Sequence, residues 1–479
     1  MSPWFKRCLL TLHSLRLCVR RILKVYPLDN AHDLTVAPIP RILRRLAVPV
    51  GVGFFFNTMF NVVDTIYAGR VSTQALAAIS LSFPLFFLII AVGSGISTGA
   101  TSLIGNALGS ERVLEARSYA AQAITFAGVH GLLVTVAGFV AAPTLFRTLG
   151  AREEYLFLAL SYVDVIFAGA TFFILNQSLN ASLNAAGNTR PFRNFLVFGF
   201  FLNLVLDPWF LFGGFGLPPL GVAGIAWATI MVQGLGTLYL GTALRNSGLM
   251  AGARRRDFLP RREPFLALAR QGFPASCSML TVALGIFVIT WFLGRFGREA
   301  VAAYGIATRI EQLFLLPVMG LNVATLALVA QNNGAGLASR VRETVRSAMV
   351  GGVLLMGGGG VALFFLAERT MCLFTTDAAV VEIGAGYLRV AAFVLAAYVI
   401  LYISVFTLQG LKRPLFAVVI GSFRQVIAPI PIFLLLANGL GMGIRGIWWG
   451  IAVVTWSAAL LSLGYLRSVL RRLPDRGRG

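Results

Sequence analysis

Long apolar stretches dominate the chain, and short polar connections that mostly contain Gly or Pro separate them. About 20 helical residues cross the hydrocarbon core of a bilayer, so stretches of this length favour transmembrane helices. The pattern predicts twelve of them, at residues 43–68, 76–106, 118–143, 155–186, 192–213, 221–244, 271–294, 301–331, 346–367, 380–409, 415–437 and 443–466.

The last six stretches repeat the first six. A shift of 225 positions, without gaps, pairs Pro49 with Pro274. Later the offset falls slightly, so that Gly187 meets Gly410. Repeats of six helices share one orientation and are related by an axis along the membrane normal. The predicted fold is therefore an all-α membrane protein of twelve transmembrane helices in two six-helix lobes with pseudo-two-fold symmetry along the membrane normal.

The pattern also divides the chain into regions. They are a basic amphipathic cytoplasmic arm at 1–40, an N-lobe at 41–244, a cytoplasmic linker at 245–270, a C-lobe at 271–468 and a cytoplasmic tail at 469–479. The arm has apolar residues at helical spacing but too many charges to span a membrane. We interpret it as a helix on the inner membrane surface, with a disordered extension as the alternative.

Composition and charge placement support this topology. Only 12% of the residues are charged, about half of the usual share in soluble domains. The net charge of +22 would suggest nucleic-acid binding in a soluble protein. Here, however, the five predicted inner loops hold sixteen Arg and Lys residues and the six outer loops hold seven. This bias places both termini in the cytoplasm and predicts a multi-pass protein of the bacterial inner membrane that binds no nucleic acid.

Cysteine and histidine usage narrows the chemistry. The four Cys and three His residues lack the spacing of a metal site or a disulfide framework. No predicted loop clusters acids or histidines as a catalytic loop would. The sequence therefore predicts neither an enzyme nor a cofactor.

Comparison of the two halves reveals polar residues that the fold does not need. At five positions the N-lobe residue is polar and its C-lobe counterpart is a different residue. The pairs are Asp64 with Ile289, Asn180 with Ile403, Asn203 with Arg424, Asp207 with Ala428 and Thr229 with Ile451. A charged carboxylate at bilayer depth costs several kcal/mol or more, so it must be paired, hydrated or protonated. Polar function is therefore expected mainly in the N-lobe.

Helical rise places several of these residues at a similar depth. Asp64, Asp207, Thr229 and Tyr162 lie roughly 8–12 Å from the outer ends of their helices, whereas Asn180 should lie deeper. The cluster could bind a proton on a pair of carboxylates, or a sodium ion through hard oxygen ligands. The structural alternative is that Asp64 lies near the interface and Asp207 braces a helix broken by proline.

The C-lobe has intramembrane charges of its own. Glu311 either lines the cavity and meets a cationic substrate or is neutralised by an arginine such as Arg389 or Arg424. Arg309 is two positions away and so points in a different direction from Glu311. The predicted substrate cavity comprises Asn57, Gln177, Arg309 and Glu311.

Two matched prolines are candidate hinges. Pro49 and Pro274 lie near the inner ends of the first and seventh helices, where a missing backbone donor permits bending. A kink that changes during transport and a static kink are both compatible with the sequence.

Several segments resemble a known family, the multidrug and toxic compound extrusion (MATE) transporters. The similar segments are 61–69, 203–208 and 221–229, and 309–311 and 330–335 are similar to the DinF-type branch of that family. The resemblance implies two lobes that open alternately to either side and an antiporter that exports drugs and organic cations in exchange for protons or sodium. A lipid-linked saccharide flippase or polysaccharide exporter of the same superfamily is the alternative.

The resemblance also implies a cation-coupling site in the N-lobe. Its residues would be Asp64, Asn203, Asp207, Thr229, Tyr162 and Asn180, and sodium would bind at the first four. The expected partners are small organic molecules and the bilayer, and the expected state is a monomer. Other branches carry an acid in the seventh helix, but this chain has none between Phe273 and Gly294, which argues against a coupling site in the C-lobe.

Overall fold

A computed structural model describes residues 34–214 and 216–474, and these residues are almost entirely helical. The spans are α1 Ile39–Val71, α2 Thr73–Gly109, α3 Val113–Thr148, α4 in two segments Glu153–Ala168 and Ala170–Ala185, α5 Arg190–Phe212, α6 Val222–Asn246, α7 Arg262–Leu293, α8 Arg298–Gly334, α9 Ala338–Cys372, α10 Ala378–Gly410, α11 Leu415–Gly439 and α12 Ile444–Arg471. Eleven are long and apolar enough to cross a membrane, and α4 makes twelve if its two segments form one span. The predicted fold class is confirmed.

Most helices extend a few residues past the predicted apolar stretches. The largest difference is at α7, which begins at Arg262 and so includes the last part of the predicted linker 245–270. The helix starts early because Glu263 stands in its first turn, where an acid favours the helix N-terminus. Of the predicted arm at 1–40, residues 1–33 lie outside the described residues.

A break divides α4 at Gly169, where the two segments meet at 42°. Gly169 lies so close to Ile230 that any side chain there would collide with it. Part of the drift of the internal repeat falls across this break. Tyr162 before it matches Tyr387 at an offset of 225, whereas Gly187 after it matches Gly410 at 223.

Each lobe contributes the start of its first helix to the core of the other lobe. The C-lobe core contains the early α1 residues Ile39, Ile42, Leu43 and Leu46. The N-lobe core contains Leu268 from the start of α7. The lobes are therefore packed into each other at the end of the molecule where α1 and α7 begin.

Small residues permit this close packing of α1 on α8 and of α2 on α7. Gly51 lies against the backbone of Pro317, and Gly99 lies against Gly272. A side chain at Gly95 would collide with the backbone of Gly272. Glycines at helix crossings in membranes let backbones approach in this way.

Candidate functional site

Three helices of the N-lobe bring four polar side chains together. Asn203 and Asp207 stand one turn apart on α5, and the Asn203 amide donates to Asp207 Oδ1 at 2.8 Å. On α6, Thr229 Oγ1 lies 3.5 Å from Oδ2 of Asp64, which belongs to α1. The carboxyl groups of Asp64 and Asp207 interact across the interface of α1 and α5. We call Asp64, Asn203, Asp207 and Thr229 the acid cluster.

The acid cluster is buried and rich in acceptors. Asp207 and Asn203 are 0% exposed, and Asp64 is 7% exposed. Asp64 Oδ1, Asn203 Oδ1 and Asp207 Oδ2 have no hydrogen-bond partner among the described residues. Unpaired buried acceptors are costly, and a buried carboxylate more so. A cation can be coordinated by all three atoms together, because each of them accepts. A proton on one carboxyl oxygen satisfies that oxygen and one acceptor to which it is donated.

The loop between α5 and α6 positions Thr229. Gly221 has a positive φ of 59°, which favours glycine, and precedes α6 directly. Gly224 then lies against the backbone of Phe210, where any side chain would collide. This contact holds the start of α6 against the end of α5, so that Thr229 faces Asp64.

The two predicted α4 residues fall at different levels. Tyr162, in the first segment, lies beside Asp64 and Asp207. Asn180 lies in the second segment, 18 positions later, which is roughly 27 Å of helix at 1.5 Å per residue. The structure therefore does not bring Asn180 into the acid cluster. Asn180 is nevertheless buried, and its Oδ1 has no partner within the described part of the chain.

The four predicted cavity residues differ in exposure. Asn57 and Arg309 are exposed, and Gln177 is half-buried against Gly93. Glu311 is only 6% exposed. No hydrogen bond or ion pair among the described residues joins these side chains to each other.

Glu311 belongs instead to a packed aromatic cluster. The Tyr387 hydroxyl donates to Glu311 Oε2 at 2.5 Å. Tyr304 packs edge-on against Tyr387, with ring centroids 5.4 Å apart, and stacks on Trp448. Glu311 therefore does not face an open cavity.

The two candidate arginine partners of Glu311 separate. Arg389 points away and pairs with Glu368 at 3.7 Å, where both side chains are largely exposed. Arg424 lies over the ring of Tyr398, 5.4 Å from its centroid, and is near enough to Glu311 to act on its charge. No ion pair joins the two side chains among the described residues. Of the two arginines, Arg424 is the one that faces Glu311.

The predicted hinges lie at the crossings of the lobes. Pro49 is inside α1, and its neighbours Ala47 and Gly51 contact α8. Pro274 is inside α7, between Gly272 and Ser276, which approach α2. Whether either helix bends during transport stays a prediction.

A reciprocal pair of amides joins the lobes, and sequence reasoning missed it. The Asn106 amide on α2 donates to the carbonyl of Gly410 at 2.9 Å. The Gln331 amide on α8 donates to the carbonyl of Ala185 at 2.6 Å. Asn333 also donates to Asn106 Oδ1 at 2.6 Å. We call Asn106, Gln331 and Asn333 the amide latch.

The amide latch has a signal in the repeat. Asn106 and Gln331 are counterparts at the offset of 225, and their acceptors Gly410 and Ala185 are the last residues of α10 and α4. The comparison of the two halves searched for positions that are polar in one half and different in the other. It therefore did not detect a pair of amides that both halves share.

Comparisons with known proteins agree with this architecture. The MatE family profile matches residues 49–209 and again residues 274–434, at the same spacing of 225. The chain is 28% identical over 405 residues to an FAD transporter from Shewanella oneidensis, covering 85% of this chain and 90% of that one. It is 27% identical over 449 residues to the probable multidrug resistance protein NorM from Thermotoga maritima, covering 91% and 96%.

Solved structures give the same result. A multidrug resistance MATE family transporter of the MOP superfamily in an outward-facing conformation superposes with a TM-score of 0.86 at 25% identity. The match covers 94% of this chain and 99% of that one. Members of this family are transporters and not enzymes. The chain therefore belongs to the MatE family of multidrug efflux transporters.

Proposed function

We propose that the protein is a secondary active antiporter that exports organic cations or drugs in exchange for protons or sodium. One observation carries this proposal: three buried acceptor oxygens of the acid cluster lack partners among the described residues. Sodium would be coordinated by all three oxygens, and a proton would satisfy one carboxyl oxygen and one neighbouring acceptor, whereas release would leave them unpaired. The free energy of the lobe thus depends on whether the ion is bound.

Ion binding drives transport only if the two access states bind the ion unequally. The acid cluster spans α1, α5 and α6, and α1 also packs on α8 of the other lobe. A change in how α1 fits α5 therefore reaches the contact between the lobes. This connection supports a mechanism in which ion loading at Asp64 and Asp207 favours one cavity shape and substrate favours the other.

The closed end of the molecule supports an assignment of access. Within the described residues, the hydrogen bonds between the lobes lie at the end where α1 and α7 begin and α2 and α8 end. The placement of basic residues predicts that this end faces the cytoplasm. With that orientation the lobes are joined on the inside and the cavity opens outward, so the amide latch acts as the inner gate.

The coupling test uses purified protein in vesicles that contain a cationic dye. We expect dye transport when either a proton or a sodium gradient is imposed, and the effective gradient identifies the ion. Asp207→Asn should abolish gradient-driven transport, because the isosteric amide holds no ionisable proton and no charge for sodium. Asp164→Asn is the matched control, since Asp164 is a half-buried acid of the same lobe outside the acid cluster. Full transport by Asp207→Asn would contradict the proposal.

A flavin-like anionic substrate is a second candidate. The similarity to an FAD transporter favours it, and Arg309 offers an exposed guanidinium on α8. Competition of FAD with dye export in the same vesicles separates the two candidates. Organic cations lead because the acids Asp64 and Asp207 lie at bilayer depth in the N-lobe. The same acids disfavour the saccharide flippase, which would need a basic cavity lined from both lobes.

A further inference from the structure

The C-lobe contains a counterpart of the acid cluster with a different source of charge. The repeat places Tyr387 at the position of Tyr162 and Arg424 at the position of Asn203. The carboxylate comes from another helix. Glu311 belongs to α8, and its counterpart on α2 is Phe86.

Local backbone structure supports the placement of Arg424. The α11 helix contains a π turn over Phe423–Ile427, closed by the Ala428 N–H donating to the Phe423 carbonyl at 2.9 Å. Pro429 and Pro431 follow, and a proline cannot donate to the preceding turn. Single π turns in helices are frequent at functional sites.

Four polar or charged groups on three helices face Glu311. They are Tyr304 on α8, Tyr387 and Tyr398 on α10 and Arg424 on α11. Tyr387 donates to Oε2, whereas Oε1 has no hydrogen-bond partner among the described residues. Arg424 brings the only permanent cation among these four groups, and a guanidinium stays protonated in proteins.

We propose that Arg424 is a tethered cation, which holds in the C-lobe the place that an exchangeable ion takes in the N-lobe. The inference deepens the proposed function and rests on it in one respect, the exchangeable ion at the acid cluster. The Arg424 guanidinium keeps Glu311 ionised inside a charge-neutral cluster. Because this cation cannot leave, the C-lobe stays permanently loaded, and ion exchange is confined to the N-lobe.

The test follows protonated carboxyl groups by infrared spectroscopy of the purified full chain. An Asp64→Asn/Asp207→Asn background removes the signals of the acid cluster, so the readout does not depend on transport. In this background we expect no buried protonated carboxyl band at neutral pH, because Glu311 is ionised. Adding Arg424→Gln should produce one such band, and adding Glu311→Gln as well should remove it.

Two further variants keep the result interpretable. Arg424→Lys retains a cation and should leave the band absent. Arg424→Gln should lower the melting temperature more than the double variant Glu311→Gln/Arg424→Gln, because the single change leaves a buried charge unpaired.

A Glu311 carboxyl band with Arg424 intact would overturn the proposal even if Arg424→Gln failed to fold. So would a folded Arg424→Gln protein without the band. Loss of coupling at the acid cluster would be seen separately in vesicle transport.

Discussion

The N-lobe and the C-lobe build polar clusters at matched helix positions, yet the two clusters differ in charge. In the N-lobe, two acids and an amide leave three acceptor oxygens unpaired within the described residues. In the C-lobe, one acid meets a tyrosine donor and a neighbouring arginine. The same arrangement of helices thus holds one cluster with acceptor oxygens that a bound ion would satisfy and one cluster in which an arginine side chain supplies the cation.

The comparison also shows what the repeat preserves. Residues that set backbone packing, such as Pro49 and Pro274, are shared between the lobes. The charged residues of the two polar clusters are not shared, because the lobes need the same shape but not the same chemistry. The amide latch belongs to the first group, since its matched amides Asn106 and Gln331 join the lobes symmetrically.

Asn203→Arg should have the largest effect, because it copies the C-lobe arrangement into the N-lobe. A guanidinium beside Asp207 would replace the exchangeable ion and keep the acids permanently charged. We expect gradient-driven transport to fall to background in vesicles while the protein remains folded.

Asn203→Met is the size control for this variant. It adds a long uncharged side chain at the same buried position and should leave a residual ion response in the folded protein. If Asn203→Arg retained normal gradient-driven transport, the functional difference between the clusters would not lie in a tethered cation.

Tyr387→Phe and Tyr162→Phe test whether the C-lobe cluster contributes more to the stability of the protein than the N-lobe cluster does. Tyr387→Phe removes the donor to buried Glu311 Oε2, at a cost of about 1–3 kcal/mol. Tyr162 packs beside the acids, and no side-chain hydrogen bond of its hydroxyl is resolved in the described part. We therefore expect a clearly lower melting temperature for Tyr387→Phe and a small change for Tyr162→Phe. Equal losses would show that the two clusters contribute alike to stability.

The sequence predicted the acid cluster because polarity at bilayer depth has few explanations. Asp64 and Asp207 are matched by aliphatic residues, and helical rise alone placed them at one level. Helical rise also predicted that Asn180 lies deeper than the acid cluster, and the 18 positions between Tyr162 and Asn180 along α4 agree with that depth. Its assignment to the coupling site came from the resemblance and stays a prediction.

Other features depended on packing that periodicity does not encode. The choice between Arg389 and Arg424 as the neighbour of Glu311 follows from how α10 and α11 face α8. The start of α7 at Arg262 shortened the predicted linker, since apolar content marks the bilayer core and not the end of a helix. The fold was therefore more predictable than the partners of individual charges.

The amide latch allows a test of symmetry between the lobes. Asn106→Ala and Gln331→Ala each remove one buried amide donor to a helix end of the other lobe. Each loss should destabilise the joined state by roughly 1–3 kcal/mol, which shifts the access equilibrium about tenfold for every 1.4 kcal/mol. Spin labels at the matched exposed positions Arg70 and Arg295, in a protein without native cysteines, would report the change.

The expected result is a larger population with shorter distances between the labels. Asn106→Ala should have the stronger effect, because Asn106 also accepts from Asn333. Unchanged distances in both variants would show that the amide latch does not control access.

Asp257→Asn should have the smallest effect and tests whether the charge of Asp257 helps to hold the connection between α6 and α7. Gln122 on α3 donates to the carbonyls of Asp257 and Leu259, at 2.6 and 2.7 Å, so the connection is fixed to the N-lobe. The Arg254 backbone N–H, donating to Asp257 Oδ2 at 2.8 Å, and the nearby Arg261 hold the pKa of Asp257 below its ordinary value.

The sign of the pH dependence follows from that lowered pKa. The contribution of the Asp257 carboxylate is complete above its ordinary pKa and is lost as the pH falls through the lower pKa of the folded state. At neutral pH, hydrogen exchange in residues 250–261 should therefore be a few-fold faster in Asp257→Asn than in the unmodified chain. In acid, where both side chains are neutral, the difference should disappear. A difference that persisted in acid would assign the effect to altered packing on α3, because the charge would no longer distinguish the two proteins.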